Sequence, residues 1–502
     1  MAAEGFGERV AFGSAHGGGL TYAGLADRAR RAAVWAKGRD VGGGVERLGM
    51  VDVNSEAVPI LLYGSAFAEL PFVPVNYRLA DDALRAILLR TAPSVFVVED
   101  GVTDRVGDLS GDGIELVPRS QFLSELDSIT PDEGYLDASP DEIAILLFTS
   151  GTTGEPKAAV LRHRHLASYV FGTVEFMGAG EEEAALVSVP PYHVAGTAAV
   201  LSSVYAGRRV VYMPAFTPGG WVDVAGDEAV TQAMVVPTML GSVLDVLEER
   251  SEKLPQLRHL SYGGGRMPVP VIERALTLLP HVDFVNAYGL TETSSTIAVL
   301  GPEDHRVAIA SDDPAVRGRL GSVGRPLPTL EIEIRDPVGT SLPAGEAGEI
   351  FVRGEQVAGE YLGRGDGLED GWFRTHDGGF LDADGYLYIE GRLDDVIVRG
   401  AENLSPGEIE DVLQRHPAVE DAAVVGVPDA RWGEAVAAAV VLAEGASATE
   451  AELQEWVKGR LRSTKTPEHI EIRPSLPYND TGKLLRRVLR SELGSKYGNS
   501  ES

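Results

Sequence analysis

The chain has no cysteine among its 502 residues. Disulfides, thiolate metal sites and a cysteine nucleophile are thereby excluded, and any catalysis must come from other groups. No apolar run approaches the roughly 18 residues that a bilayer span needs. The opening, "MAAEGFGERVAFG", carries acidic residues where a signal peptide needs a basic end and an apolar stretch, so a cytoplasmic protein without a membrane span is expected. Positive charge is scarce: 44 Lys and Arg against 75 Asp and Glu give a formal net charge of −31. Nucleic acids and anionic lipids are held by Lys and Arg through counterion release, so no nucleic-acid partner is expected. A nucleotide needs only a local pocket and remains open. The acidic surplus otherwise reads as solvated surface.

What is present suits a large globular protein. With 44% hydrophobic and 24% charged residues, the chain is long enough for two or more domains. Residues 20–100 alternate helical patterns ("TYAGLADRARRAAVWAKGR") with short apolar runs ("RLGMVDV", "PFVPVN", "SVFVVED"), the rhythm of layered α/β structure. It continues past residue 280, where "ALVSVPP", "VVYMP", "AMVVP", "HLSYGGG" and "DFVNAYGL" each end in Pro, Gly or polar residues. Ligand sites in α/β sheets favour such strand ends. From about 319 to 393 short period-two segments ("GEIFVRG", "DGYLYIEGR") predict a small β subdomain.

A third texture follows. The strand "DVIVRG" leads to a helix starting at Ser405, with Pro406 in its first turn and Glu408 completing a capping box; strands "DAAVVGVP" and "AVAAAVVL" come next, and Thr449 and Glu452 form a second capping box. The expected fold class is α/β: a large multi-sheet N-terminal domain over 1–393, including the β subdomain, and a mobile α+β C-terminal domain over 394–502.

Chemistry concentrates first in "LLFTSGTTGEPKAAV", residues 146–160. Hydroxyls, backbone N–H groups freed by glycine and one cation are what a polyphosphate needs, which points to ATP. Pro156 before Lys157 and Ala158 after it set the loop apart from the common nucleotide-triphosphatase loop, and a Gly/Thr hairpin is the alternative. Further along, "NAYGLTETS" puts Tyr288, Thr291 and Glu292 at a strand end. "FRTHDGGFL" presents Asp377, "EGRLDDVIV" presents Arg392 and Asp394, and "LPYNDTGKLLRR" presents Lys483.

Together and in this order, these segments resemble the adenylate-forming superfamily of acyl-CoA synthetases, firefly luciferase and peptide-synthetase adenylation domains, over nearly the entire chain. The chemistry agrees. A carboxylate is a poor electrophile, and converting it to an acyl-AMP mixed anhydride concentrates charge on phosphate oxygens, which calls for positioned cations and donors more than for a protein nucleophile.

The resemblance implies that Thr149, Ser150, Gly151, Thr152, Thr153, Gly154 and Lys157 cradle the β- and γ-phosphates. It places Thr291 on the α-phosphate and Glu292 on Mg²⁺, a hard cation suited to such a ligand. Asp377 would take the ribose hydroxyls with Arg392 donating to the same sugar, and Lys483 would reach the α-phosphate and the substrate carboxylate. In "SYGGGRM", Gly264, Gly265 and Arg266 would border one face of the adenine and Tyr288 the other; a glycine turn after a buried strand is the alternative for Arg266. His193 and Gly196 of "PPYHVAG" would shape the acyl pocket, or His193 is a structural histidine. Gly196, Gly263, Gly264 and Gly289 suggest a roomy pocket and Tyr262 an aromatic wall. Asp394 stands at the family hinge, about which the C-terminal domain swings between two half-reactions.

Three positions depart from the family pattern. Ala158 and His376 replace glycines after the loop lysine and before Asp377, the first being mild if its φ is negative. Ala401 stands where a glycine of CoA-forming relatives lines the pantetheine tunnel. The expected activity is ATP-dependent activation of a hydrophobic carboxylic acid followed by transfer to CoA, with ATP, Mg²⁺ and CoA as cofactor and co-substrates. The alternative is an adenylating enzyme that passes acyl-AMP to a carrier protein or separate thiolation partner, which Ala401 favours. A non-catalytic nucleotide sensor fits poorly with Lys483, Glu292 and Asp377 all present.

Overall fold

The computed structural model describes residues 1–14, 16–134, 138–149, 156–399, 402–479 and 484–498, leaving aside the side chains of Asp366 and Asn403. Four sheets of nine, eight, five and five strands organise these residues. In the nine-stranded sheet, Arg209–Tyr212, Ala184–Val187, Gln232–Val235, His259–Gly263 and Asp283–Leu290 lie side by side in parallel. These are the apolar runs whose ends carry Pro and Gly. In the eight-stranded sheet, Phe72–Pro74, Arg47–Val51, Ser94–Val98 and Ile114–Pro118 run parallel, with the antiparallel hairpin Ile143–Thr149/Lys157–Arg162 beside them. Parallel strands are covered on both faces, which explains continuous buried runs such as Ser94–Val98.

The segment 319–393 is less self-contained than its pattern suggests. Its own antiparallel sheet begins at Glu331–Arg335, whereas Arg325–Pro326 extends the nine-stranded sheet. Glu360–Tyr361 adds to the eight-stranded sheet beside Lys157–Arg162, pairing Tyr361 with Ala159. The Arg162 guanidinium clamps this join through hydrogen bonds of 2.9 and 2.8 Å to Glu360.

The last sheet follows period two on both faces. Val424, Val436, Ala438 and Val440 pack with Ile409, Leu413 and Leu453, while Ala423, Val425, Ala437 and Ala439 pack with Leu489 and Leu493 of the C-terminal helix. Of the two expected capping boxes, the one at Thr449 forms, with Glu452 N–H donating to Thr449 Oγ1 and Glu452 Oε2 accepting from Thr449 N–H. The one at Ser405 does not. Ser405 starts the helix Pro406–Gln414 without a side-chain cap, because its hydroxyl donates to the Glu390 carbonyl at 2.7 Å and Glu408 pairs with Lys465. Among the described residues, no helix is long and apolar enough to cross a membrane.

Candidate active site

Two groups of side chains meet at the ends of the nine-stranded sheet and its neighbours. The first surrounds Asp377. Strands Gly348–Arg353 and Trp372–Leu381 pair Glu349 with Gly378 and Phe351 with Arg374, so Thr375, His376 and Asp377 lie opposite Ile350 alone. Such a bulge re-aims a side chain. His376 turns it at φ +59, the left-handed region, which a glycine would enter without cost and which histidine visits more readily than most residues. Its Nδ1 lies 3.4 Å from Glu349, whose carboxylate also accepts from Arg374 at 3.2 and 2.6 Å.

The bulge sends Asp377 inward, where it is 6% exposed. Its N–H donates to Thr375 Oγ1 at 3.1 Å, Tyr288 Oη donates to Oδ2 at 2.5 Å, and Arg392 Nε lies 3.0 Å from Oδ1. Arg392 Nη1 also donates to the Thr375 carbonyl at 2.7 Å. Burial, and then the adjoining carboxylate, push the Tyr288 phenol well up, so it stays a donor. A carboxylate offers about four lone-pair sites, and it can therefore keep these partners and still accept from a vicinal diol.

The second group surrounds Glu292. The hairpin pairs Thr149 with Lys157, and Thr149 Oγ1 donates to the Lys157 carbonyl at 3.4 Å. Ala158 sits opposite Phe148 in strand conformation, without the positive φ that would demand glycine. Lys157 Nζ lies 5.4 Å from the centroid of the Tyr361 ring, and Tyr361 Oη donates to Glu292 Oε1 at 2.5 Å. Glu292 is in the short 3₁₀ turn Thr291–Thr293, which Ser294 ends at φ 58. The turn is held from beneath: Gln356 Nε2 donates to the carbonyls of Thr293 and Thr296 at 3.1 and 2.8 Å, and the N–H groups of Ala358 and Gly359 donate to the Glu292 carbonyl. Among the described residues, no group of three or more His, Asp and Glu is placed to hold a metal alone. One carboxylate whose described hydrogen bond occupies only one oxygen matches the way Mg²⁺ binds, through one or two carboxylates with phosphate oxygens and water completing its shell.

Sequence reasoning missed Tyr361, the residue linking Lys157 to Glu292, and Glu349, which holds both flanks of the Asp377 bulge. Neither carries a motif signal, since each acts through a strand pairing distant in sequence. Ser150, Gly151, Thr152, Thr153, Gly154, Ala401 and Lys483 lie outside the described residues.

Other expectations change. A Cβ on Gly196 would meet the Pro190 carbonyl at 2.6 Å, one on Gly263 the Ala287 carbonyl at 2.2 Å, and one on Gly289 the Ser295 carbonyl at 1.8 Å. These glycines permit close backbone approach and do not hollow out a pocket. Tyr262 is no pocket wall either: it is fully buried in the core, and its hydroxyl bonds His305 Nε2 at 2.8 Å. Gly264 turns at φ +77 and Gly265 follows, and the Arg266 side chain leaves this turn to reach Asp411 of helix Pro406–Gln414 at 2.5 Å. His193 precedes helix Val194–Ala206 with its ring against Tyr192. Asp394 is exposed in the short turn Leu393–Asp395, between strand Leu387–Arg392 and strand Ile397–Arg399 of the last sheet. A cavity of about 110 Å³ opens near the Pro190 turn, lined by Asn54, Tyr77, Arg78, Ser188, Pro190, Pro214, Phe216 and Met239.

Strand-end carboxylates of two kinds, a hairpin lysine and a C-terminal α+β domain define an adenylate-forming enzyme. Residues 1–362 match the AMP-binding enzyme family and 408–483 the AMP-binding enzyme C-terminal domain, and the chain belongs to that family as an acid–thiol ligase of the acyl-adenylate-forming class. It is 34% identical over 485 residues to a feruloyl-CoA synthase of an Amycolatopsis species, covering 95% of each chain. It is also 34% identical over 487 residues to the fatty acid–[acyl-carrier-protein] ligase ScoC of Streptomyces coeruleorubidus, covering 94% of this chain and 91% of that one. The crystal structure of ATP-bound MatB from Rhodopseudomonas palustris superposes with a TM-score of 0.87 at 26% identity, covering 99% of both.

Proposed function

We propose that the protein activates a hydrophobic carboxylic acid with ATP and transfers the acyl group to CoA. The observation that carries this reading is the pairing of a buried, donor-braced carboxylate, Asp377, with a second carboxylate, Glu292, next to Lys157 in a chain of this family. Asp377 would accept from the ribose hydroxyls, its geometry set in advance by Tyr288 and Arg392. Thr149, Lys157 and the loop between them would hold the terminal phosphates, and Thr291 the α-phosphate. Glu292 would hold Mg²⁺, which when bound neutralises phosphate charge. A carboxylate oxygen of the acid attacks the α-phosphorus, the bond to the bridging oxygen breaks, and pyrophosphate leaves. Lys483 would steady the charge that builds in that step. The CoA thiol, losing its proton, then attacks the acyl carbon and AMP departs.

Supporting an apolar acid is the likeness to a feruloyl-CoA synthase and a fatty-acid ligase; the candidate acyl site is the cavity near Pro190, where Tyr77, Phe216 and Met239 share the walls with the polar Asn54, Arg78 and Ser188. His193 would shape its mouth. The domains would divide at Asp394, the C-terminal one pivoting there between steps.

A second reading has a carrier protein or separate thiolation partner as acceptor. It is favoured by Ala401, whose methyl would narrow a pantetheine path, and by the likeness to a carrier-protein ligase. Pyrophosphate release across a panel of aryl and medium-chain acids, with and without CoA, tests both. Release with rapid acyl-CoA formation supports the first reading; release with acyl-AMP retained until a carrier is added supports the second. No release with any acid, in the presence of Mg²⁺ and ATP, would overturn both.

A further inference from the structure

Arg266 leaves the glycine turn Gly264–Gly265 and crosses from the N-terminal body to helix Pro406–Gln414 of the C-terminal domain. Its guanidinium makes two contacts there. Nη2 is 2.5 Å from Asp411 Oδ2. A Cβ built on Gly407 would meet Arg266 Nη1 at 1.7 Å, with the Glu390 carbonyl 3.5 Å away. Gly407 and Asp411 are four residues apart, hence on one helix face. The missing side chain at one position is the socket for the cation, and the carboxylate one turn on is its partner. Gly407 has no backbone need for glycine, since it lies within a helix and outside the left-handed region.

We propose that Arg266, seated in the Gly407 socket and paired with Asp411, is a positioning residue that latches the C-terminal domain in the orientation of this structure. The proposal rests on the reading that this domain pivots near Asp394. Burial raises the Asp411 carboxyl and Arg266 draws it back, in keeping with a pair partly withdrawn from water. A half-exposed ion pair adds little to folding, but two domain orientations of similar free energy are biased by the same small amount. The latch leaves from the turn expected to border the nucleotide, so occupancy there and lid orientation share one side chain.

The test uses the absence of native cysteine: Asp312→Cys and Glu444→Cys, both exposed and one in each domain, take a dye pair for single-molecule energy transfer. Gly407→Ala blocks the socket and Asp411→Asn removes the charge. An alanine inside a helix ordinarily raises stability, so a merely structural Gly407 would leave the melting temperature equal or higher and the interdomain distance unchanged. A latch predicts that equal or higher melting temperature together with a loss, in both variants, of roughly 2- to 5-fold in the population matching this structure. It predicts too that acyl-AMP formation and acyl transfer from synthetic acyl-AMP move in opposite directions by about the same factor. An unchanged distance distribution in either variant, or both rates falling together, overturns the proposal. The distance measurement needs no substrate acid, so failure to find one would count against the proposed function and leave the latch decided.

Discussion

The two ends of the site hold their carboxylates differently. Asp377 is buried, and its carboxylate is met on one oxygen by the Tyr288 phenol and on the other by the Arg392 guanidinium, while its own N–H donates to Thr375 Oγ1. Glu292 is also buried, yet the described contact to its side chain is one phenol, Tyr361, delivered by a strand from a different sheet. A carboxylate with a donor already on each oxygen, and lone pairs to spare, suits a neutral diol that adds weak hydrogen bonds. One with an oxygen to spare suits a cation. The same chemical group thus reads as sugar holder or metal ligand according to how much of its capacity the protein has already used.

The largest effect is expected from Asp377→Ala. It removes the acceptor of charge-assisted hydrogen bonds worth about 1.5–3 kcal/mol each and leaves Arg392 and Tyr288 without their partner. Steady-state pyrophosphate release should show the KM for ATP raised roughly 10- to 100-fold. A KM within two-fold of wild type would dissolve the assignment of this end to the sugar.

Glu292→Gln comes next and separates the ends. Its size is kept and its charge lost, so the Mg²⁺ concentration for half-maximal rate should rise about 10-fold while the KM for ATP at saturating Mg²⁺ moves little. Equal Mg²⁺ dependence in variant and wild type would make Glu292 a structural anchor of its turn. Tyr361→Phe should do the same more weakly, about 2- to 5-fold in Mg²⁺ dependence, because it removes an orienting hydrogen bond and leaves the charge. An effect as large as that of Glu292→Gln would instead mean that Tyr361 touches the ligand.

How much of this was legible beforehand depends on whether a residue's role is local. Thr149, Lys157, Glu292, Asp377 and Arg392 stand in short segments whose order along the chain is itself the signal. Tyr361, Glu349 and the Arg266–Asp411 contact depend on strand and domain pairings that no local pattern encodes. The two capping boxes make the point within one domain. Thr449 and Ser405 begin the same pattern, but only Ser405 has a carbonyl, that of Glu390, close enough to take its hydroxyl, and tertiary contact overrides the local rule. Glycines misled for a related reason. At Gly263 and Gly289 the absent side chain admits a neighbouring backbone, which composition cannot tell from an open pocket.

The smallest effect tests whether the Asp377 end is as preset as its contacts imply. His376 holds a left-handed conformation that costs an L-residue about 1–2 kcal/mol, which glycine would relieve. Glycine also loses about 0.5–1 kcal/mol through the freedom it gives the unfolded chain, and the variant forfeits the long imidazole contact to Glu349. The terms nearly cancel, so His376→Gly should change stability by no more than about 1 kcal/mol, with a slight gain expected. Its bearing on the site is sharper. If the sheet register and the Arg374–Glu349 pair set the bulge, Asp377 keeps its aim and the KM for ATP stays within two-fold. If the imidazole sets it, the aim is lost and KM climbs toward that of Asp377→Ala while thermal unfolding is unaltered. The bidentate hold of Arg374 on Glu349, at 3.2 and 2.6 Å against 3.4 Å for His376, favours the first outcome.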